Sequence, residues 1–171
     1  MHPLETLTRL DRAAARLAGI DPQFVEPGRS NLAEAAPRAR APGDVAALAG
    51  GFTVDNLRVR TGGPATYGAD RELARAILTA IRFEPAVRAA ASLRPLAALA
   101  RNLEEHLREV AVVDPQHTPP GISNMDWAIA HASKNGVPDA VLVRERALLF
   151  FGGSAEEVVD EILILSSHAS I

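Results

Sequence analysis

The chain of 171 residues contains no cysteine, which excludes disulfide bonds, thiolate catalysis and zinc sites built on cysteine. Lysine occurs once, as Lys134, so a Schiff-base mechanism would depend on that single residue. Aromatic residues make up only 4% of the chain, whereas hydrophobic residues make up 47%. The core must therefore be built from alanine, leucine, valine and isoleucine.

The sequence also lacks an excess of basic charge and a long hydrophobic run. The net charge is −3 and the pI is near 5.9, so no positive field is available to attract nucleic acid or an acidic membrane surface. No apolar run approaches the ~20 residues of a membrane span, and the N-terminus "MHPLETLTRL" lacks the apolar segment of a signal peptide. We therefore expect a cytoplasmic protein with one core, and partners other than nucleic acid or membranes.

Hydrophobic periodicity predicts a mixture of helices and strands. Leucines at positions 4, 7, 10 and 17 predict an N-terminal amphipathic helix that ends at Gly19. Further helices are predicted after Gly68, over residues 96–110, over residues 124–135 and after Ser154. Strands are predicted over residues 110–114, 140–143 and 147–152, and in a hairpin that turns at Asp55-Asn56. Because hairpin-like pairs outnumber βαβ units, the pattern indicates an α/β fold with a mixed, partly antiparallel sheet covered by helices.

The stretch "GGPATYGADRELARAIL", residues 62–78, is a glycine-rich turn that opens a helix. Helix N-termini bind phosphate through unpaired N–H groups, and Gly68 allows close approach of the backbone. Asp70 is the expected N-cap, however, and Glu72 follows it in the first turn, so two carboxylates already satisfy the positive end of the helix dipole. A structural corner is therefore favoured over a phosphate site, although Arg71 leaves the second interpretation open.

Three polar residues outside this turn extend the candidate site. Ser30 and Asn31 follow "EPGR" and form either an ordinary turn or a pair of donors for a ligand. Arg94 precedes Pro95 and either clamps a phosphate with its planar fork or pairs with a surface glutamate. Together with Arg29 and residues 68–71 they indicate a candidate anion site.

The histidines do not indicate a metal centre. None of the five stands in an H-x-H or H-x-x-x-H pair, and structural or exposed roles are expected for all of them: His2, His106, His117, His131 and His168. His117 is the one retained as a candidate, because it lies in a proline-rich loop and loops carry sites. We expect neither a metal ion nor a cofactor.

The chain after the first helix resembles the ThiN family. The resemblance rests on "PGRSNLAEA", "DVAALAGGF", "GPATYGADRELARAILTAIRFEPAVRAAASLR", "DW" and "GVPDAVL", in this order, over roughly residues 26–165. ThiN is the thiamine-phosphate synthase domain found fused to the pyrimidine kinase of thiamine biosynthesis, chiefly in archaea. The resemblance implies an N-terminal helix and connector, residues 1–25, followed by a ThiN-like domain, residues 26–171. It also implies a three-layer α/β/α fold with a mixed, mostly antiparallel sheet, as in class II aldolases.

Two departures from the family concern catalysis. The resemblance implies a reaction in which a pyrimidine diphosphate joins a thiazole phosphate and releases pyrophosphate. Synthase members carry a functional arginine and a functional histidine, which fall on Gly51 and Glu72 in an ungapped comparison, and a motif serine falls on Asp70. Glycine cannot stabilise departing pyrophosphate, and carboxylates at a helix N-terminus repel it. The family's late D-R-G segment reads "RER" here, at residues 144–146.

Three functions follow from this comparison. The favoured one is a module that binds thiamine phosphate or a related phosphate ester without turnover, as the ligand-sensing domains of thiamine-responsive repressors do. The second is an active synthase that uses other residues, such as Arg71 and His117. The third is a ligand-free scaffold in which alanine-rich faces and the first helix pack against a second chain, as a homodimer. For the first function the resemblance places the ligand at Ser30, Asn31, Gly68, Ala69, Asp70, Arg71 and Arg94.

Overall fold

The computed structural model describes residues 4–106 and 108–168. The α-helices of this part of the chain are α1 (Leu4–Ala15), α2 (Arg71–Phe83), α3 (Ala97–Glu105), α4 (Asn124–Ala132) and α5 (Ala155–His168). Its strands are β1 (Asn31–Ala35), β2 (Val45–Leu48), β3 (Phe52–Asp55), β4 (Arg58–Thr61), β5 (Ala65–Tyr67), β6 (Ala89–Leu93), β7 (Val110–Val113), β8 (Ala140–Val143) and β9 (Ala147–Gly152). Among these residues, no helix has both the length and the apolar character needed to cross a membrane.

Seven strands form one sheet in the order β5-β2-β1-β6-β9-β8-β7. Neighbouring strands are antiparallel except for β7 and β8, which run parallel at one edge. Strands β3 and β4 form a separate hairpin. The prediction of an α/β fold with a mixed, mostly antiparallel sheet is therefore confirmed.

Helices cover both faces of the sheet, because the strands present apolar side chains on both sides. On one face α1, α3 and α5 pack on a core built largely from leucine, with Leu10, Leu32 and Leu148 fully buried. On the other face α2 and α4 pack through Ile77 and Ile129 on a core rich in alanine and valine. The molecule thus has the three layers that the resemblance implied.

Two central strands were not predicted from the sequence. All five residues of β1, "NLAEA", are buried, and the five of β6, "AAASL", are buried except for the half-buried Ser92. Strands buried on both faces show no alternation of polar and apolar residues, and alanine, asparagine and glutamate are poor strand formers. Their neighbours in the sheet, rather than their own composition, therefore determine that they are strands.

Two predicted boundaries were wrong by a few residues. The β3–β4 hairpin turns at Asn56-Leu57, which have φ angles of 49° and 61°, and not at Asp55-Asn56, because Asp55 pairs with Arg58 in the ladder. The helix predicted over residues 96–110 ends at Glu105, and Val110 begins β7. Leu107 and residues 1–3, which include His2, lie outside the described residues.

Glu34 in β1 connects the sheet to two helices. It is 3% exposed, and its Oε2 accepts a hydrogen bond of 2.7 Å from Arg9 Nη2 in α1. This bond raises the pKa of Arg9 above its ordinary value. The other carboxylate oxygen accepts from the backbone N–H of Ala155, the first residue of α5, at 2.8 Å. A single buried side chain therefore attaches both helices to the central strand.

Replacing Glu34 with alanine is expected to lower the free energy of unfolding by about 2 kcal/mol, as measured by urea denaturation. The change leaves the buried N–H of Ala155 without its acceptor, whereas Arg9 is 45% exposed and regains water. Asp160→Ala is the matched control, because it removes an exposed ion pair with Arg16 of similar length, 2.6 Å. That variant should lose no more than about 0.5 kcal/mol, and equal losses would contradict the role of burial.

Candidate functional site

The glycine-rich turn before α2 is closed by Asp70. Its Oδ1 accepts a hydrogen bond of 2.9 Å from the N–H of Leu73, which is the predicted N-cap geometry. Gly68 has a φ of 78° and donates its N–H to the carbonyl of Val45 at 3.0 Å, and Ala69 is exposed beside it. A carboxylate of the protein therefore stands where a helix N-terminus would otherwise receive an anion.

Asn31 holds this cap against the sheet. It is 3% exposed, and its Oδ1 accepts from the N–H groups of Leu32 at 2.8 Å and Leu48 at 2.9 Å. Its Nδ2 donates to the carbonyl of Leu48 at 3.1 Å and to Asp70 Oδ2 at 3.2 Å. The amide thus makes four hydrogen bonds inside the protein, and it reaches the site only through Asp70.

Ser30 and Gly51 meet where two loops cross. Ser30 is buried, and its hydroxyl accepts from the N–H of Glu26 at 2.8 Å. The Ser30 carbonyl accepts from the N–H of Phe52 at 2.8 Å. Gly51 has a φ of 68°, and a Cβ atom added to it would lie 2.5 Å from the Ser30 carbonyl oxygen. The backbone at position 51 therefore has room for glycine but for no larger residue in this arrangement.

A small inner pocket with a cavity volume of about 40 Å³ lies beside this crossing. Its apolar floor comes from Leu73, Leu93, Met125, Ala147 and Leu149, and Ser92 adds a hydroxyl. Three carboxylates, Glu26, Asp70 and Glu72, line it together with two guanidinium groups, Arg29 and Arg146. Carboxylates are therefore the more numerous charged groups in this pocket.

An outer pocket with a cavity volume of about 340 Å³ lies at the N-terminal ends of α2 and α4. Arg71 and Arg75, one turn apart on α2, line it together with Arg146, and Glu72 is the one carboxylate among its lining residues. Ser123 and Asn124 complete it at the N-terminus of α4. Arg75 also lies 3.9 Å from Asp126. Guanidinium groups are therefore more numerous than carboxylates in the outer pocket, whereas carboxylates are more numerous in the inner pocket.

The two pockets share Glu72, Met125 and Arg146, and form one cleft. Glu72 Oε1 accepts a hydrogen bond of 2.6 Å from Arg146 Nη2, and the two side chains are 45% and 34% exposed. Within residues 4–106 and 108–168, the buried Nε of Arg146 has no hydrogen-bond partner. Glu72 therefore accepts a hydrogen bond from only one of the two neighbouring donors of this guanidinium group, Nη2, and not from Nε.

The predicted site residues fall into two groups. Ser30, Asp70, Arg71 and Glu72 line the cleft, whereas Asn31, Gly51, Gly68, Ala69 and Arg94 line neither of its pockets. The side chain of Arg94 donates through Nη2 to the carbonyl of Val25 at 3.1 Å. The backbone N–H of Arg94 donates to the carbonyl of Phe24 at 2.8 Å. It thus supports the loop that leads to Ser30.

Arg75 and Arg146 were not among the predicted site residues, whereas Arg29 belongs to the predicted anion-site segment Arg29–Asn31 and lines the inner pocket. The sequence contained a signal for Arg146, since "RER" differs from the family's D-R-G. Nothing in the sequence showed that its side chain reaches Glu72, 74 residues earlier. The turn that brings it there has Glu145 in the left-handed region, with a φ of 64°.

The histidines at positions 106, 117 and 131 line neither pocket, and His2 and the side chain of His168 lie outside the described part of the structure. His117 is exposed and lines neither pocket, and His131 stacks on Trp127 with ring centroids 4.8 Å apart. His106 Nδ1 lies 2.7 Å from the carbonyl oxygen of Asn102. In the described part of the chain no three histidine, aspartate or glutamate side chains are grouped so as to hold a metal ion.

Comparison with known proteins confirms the family resemblance found in the sequence. The family model described as thiamine-phosphate synthase ThiN matches residues 9–164. The bifunctional thiamine biosynthesis protein ThiDN of Methanocaldococcus jannaschii is 31% identical over 144 residues, which are 80% of this chain and 34% of that protein. The chain thus spans about a third of the length of this relative.

Solved structures show the same relationship. The C-terminal domain of protein MJ0236 superposes with a TM-score of 0.88 at 27% identity, over 98% of this chain and 97% of that one. The C-terminal domain of a phosphomethylpyrimidine kinase gives 0.84 at 26% identity, over 95% and 98%. The L-fuculose-1-phosphate aldolase of Thermus thermophilus shares the fold, with a TM-score of 0.57 at 17% identity over 96% and 89%. The family model covers most of the chain, and this protein therefore belongs to the thiamine-phosphate synthase ThiN family.

Proposed function

We propose that this ThiN domain binds thiamine phosphate, or a related phosphate ester, in the cleft and does not synthesise it. The observation that carries the proposal is the Glu72–Arg146 ion pair of 2.6 Å in the middle of the cleft. It stands at the helix position to which the family resemblance assigns a histidine. The cleft keeps cationic groups that suit a phosphate ester, but a carboxylate of the protein already engages one of them.

The loss of turnover is argued from the chemistry of the leaving group. Synthesis of thiamine phosphate breaks a carbon–oxygen bond, and pyrophosphate departs with the bonding electrons. A site that stabilises this charge uses preorganised cations or N–H donors, and the loss of one donor costs about 10²- to 10³-fold in rate. Here Gly51 offers no side chain, and three carboxylates line the inner pocket.

An active synthase is the second candidate, and one observation favours it. Arg71, Arg75 and Arg146 line the outer pocket together, and guanidinium groups are well suited to diphosphate. In that case these arginines would replace the family's arginine, and His117, which lines neither pocket, would take no part. The two candidates differ in whether product forms, because both require a phosphorylated ligand in the cleft.

Calorimetric titration with thiamine phosphate, with pyrophosphate as the control, tests the proposal. We expect a dissociation constant in the micromolar range, on the order of −8 kcal/mol, for thiamine phosphate alone. Incubation with the pyrimidine diphosphate and the thiazole phosphate should then give no thiamine phosphate. Steady product formation would instead establish the synthase, and the absence of binding to either compound would favour a scaffold or a homodimer.

A further inference from the structure

The cleft separates charges along its length. The inner pocket has the carboxylates of Glu26, Asp70 and Glu72 against two guanidinium groups. The outer pocket has three guanidinium groups against the single carboxylate of Glu72. Opposite charges of one small molecule would therefore be stabilised at opposite ends of the cleft.

The Glu72–Arg146 pair lies at the boundary, because both residues line both pockets. The pair is about half exposed and joined through one nitrogen and one oxygen, so it is held weakly compared with a buried bidentate pair. The buried Nε of Arg146 still lacks an acceptor among the residues that the structure describes. A phosphate group offers three acceptor oxygens and can use both Nε and Nη2, which a single glutamate oxygen does not.

We propose that the ligand binds by exchanging this ion pair, so that the cleft selects a small molecule that carries both a phosphate and a positive charge. The phosphate takes Arg146, with Arg71 and Arg75, in the outer pocket. The positively charged ring takes Glu72, which lines both pockets, and lies beside Asp70 and the Arg29–Glu26 pair of 3.6 Å. The inference rests on the proposed function, because it concerns the ligand of the same cleft.

An incomplete ligand carries only the phosphate or only the positive charge. The expected selectivity follows from the charged side chain that each incomplete ligand leaves unpaired. Inorganic phosphate removes Arg146 from Glu72 and leaves that carboxylate without its counter-ion, whereas Glu26 keeps Arg29 at 3.6 Å. Thiamine, which has the positive ring without phosphate, removes Glu72 from Arg146 and leaves Arg146 without its counter-ion, whereas Arg75 keeps Asp126 at 3.9 Å. A ligand that carries both charges satisfies both partners at once, and it should bind much more tightly than either.

The experiment compares three probes, thiamine phosphate, thiamine and inorganic phosphate, by calorimetry on the wild type and two variants. Glu72→Gln should bind inorganic phosphate several-fold more tightly and thiamine phosphate about tenfold more weakly, because a charge-assisted contact is lost only for the second ligand. Arg146→Gln should bind thiamine and thiamine phosphate with similar affinity. Thermal denaturation confirms that each variant is folded.

Arg16→Gln and Asp160→Asn are the matched controls, since they break an exposed ion pair of the same length, 2.6 Å, between the residue that follows α1 and α5. They should leave the affinities for all three probes unchanged. If Glu72→Gln and Arg146→Gln each shift the affinities for the three probes equally, or shift none of them, ion-pair exchange is wrong while thiamine phosphate binding stands.

Phosphocholine and choline separate the inference from the proposed function. Phosphocholine also carries a phosphate and a positive charge but has no thiamine chemistry. If the wild type binds phosphocholine more tightly than choline or phosphate but does not bind thiamine phosphate, the proposed function is wrong and ion-pair exchange is supported. Ion-pair exchange is overturned if the wild type binds thiamine and phosphate as tightly as thiamine phosphate, and choline and phosphate as tightly as phosphocholine.

Discussion

Replacing Gly51 with alanine is expected to lower the free energy of unfolding by about 3 kcal/mol, as measured by urea denaturation. A residue with a Cβ atom is strained at a φ of 68° by about 1 kcal/mol. The new methyl would also lie 2.5 Å from the Ser30 carbonyl oxygen, and that oxygen cannot retreat without lengthening its hydrogen bond from Phe52. Overpacking of this kind costs typically 1–3 kcal/mol more.

Gly50 provides the matched control. Its φ is 77°, and nothing lies within 4 Å of an added Cβ atom, so Gly50→Ala should cost only the strain of about 1 kcal/mol. Equal losses of unfolding free energy at the two positions would show that the backbone around the Ser30 carbonyl shifts at little cost. Gly51→Arg, which restores the residue type that the family resemblance assigns to this position, should be destabilised at least as much as Gly51→Ala and should not gain synthase activity.

Replacing Asn31 with alanine is expected to cost about 3 kcal/mol of unfolding free energy. The change removes four hydrogen bonds and takes the Asn31 Oδ1 acceptor from the N–H groups of Leu32 and Leu48, whereas the carbonyl of Leu48 keeps the N–H of Gly51 at 3.1 Å. Leu32 and Leu48 are completely buried, so water does not replace the lost contacts at those groups. Buried polar groups that lose a partner cost about 1–3 kcal/mol each, and partial relaxation reduces their sum.

The same variant tests how Asn31 contributes to the site. If it acts by holding Asp70 at 3.2 Å, Asn31→Ala should weaken thiamine phosphate binding and lower the melting temperature together. Asn135→Ala is the control, because Asn135 is exposed after α4, and both quantities should stay within error of the wild type. Lost binding at unchanged stability would instead identify Asn31 as a direct ligand contact.

How much of the fold was predictable depended on the local pattern of each segment. α2 was predicted with its cap, because Asp70 precedes a run in which Leu73 and Ile77 recur on one face. Strands β8 and β9 were predicted from valine, leucine and phenylalanine. β1 and β6 were missed, because alanine-rich strands buried on both faces have neither alternation nor strand propensity.

How much of the site was predictable depended on distance along the chain. Ser30, Asp70, Arg71 and Glu72 were found because they belong to local turn and cap patterns, and they do line the cleft. The assignment of Arg94 to the phosphate remains a prediction, although its guanidinium supports the carbonyl of Val25. Arg146 was not assigned to the site, because it lies in the turn between β8 and β9 and its side chain contacts Glu72, 74 residues earlier in the chain.

The sequence by itself determined the class of core, the helix caps, the family and the two substitutions at Gly51 and Glu72. These follow from residue type and short-range order, in which each residue acts on neighbours within about one helical turn. Only the tertiary structure decided that Gly51 cannot accept a side chain and that Arg146 neutralises Glu72. Both depend on atoms from segments far apart in sequence, brought within 3 Å of each other by the crossing of loops and the order of strands in the sheet.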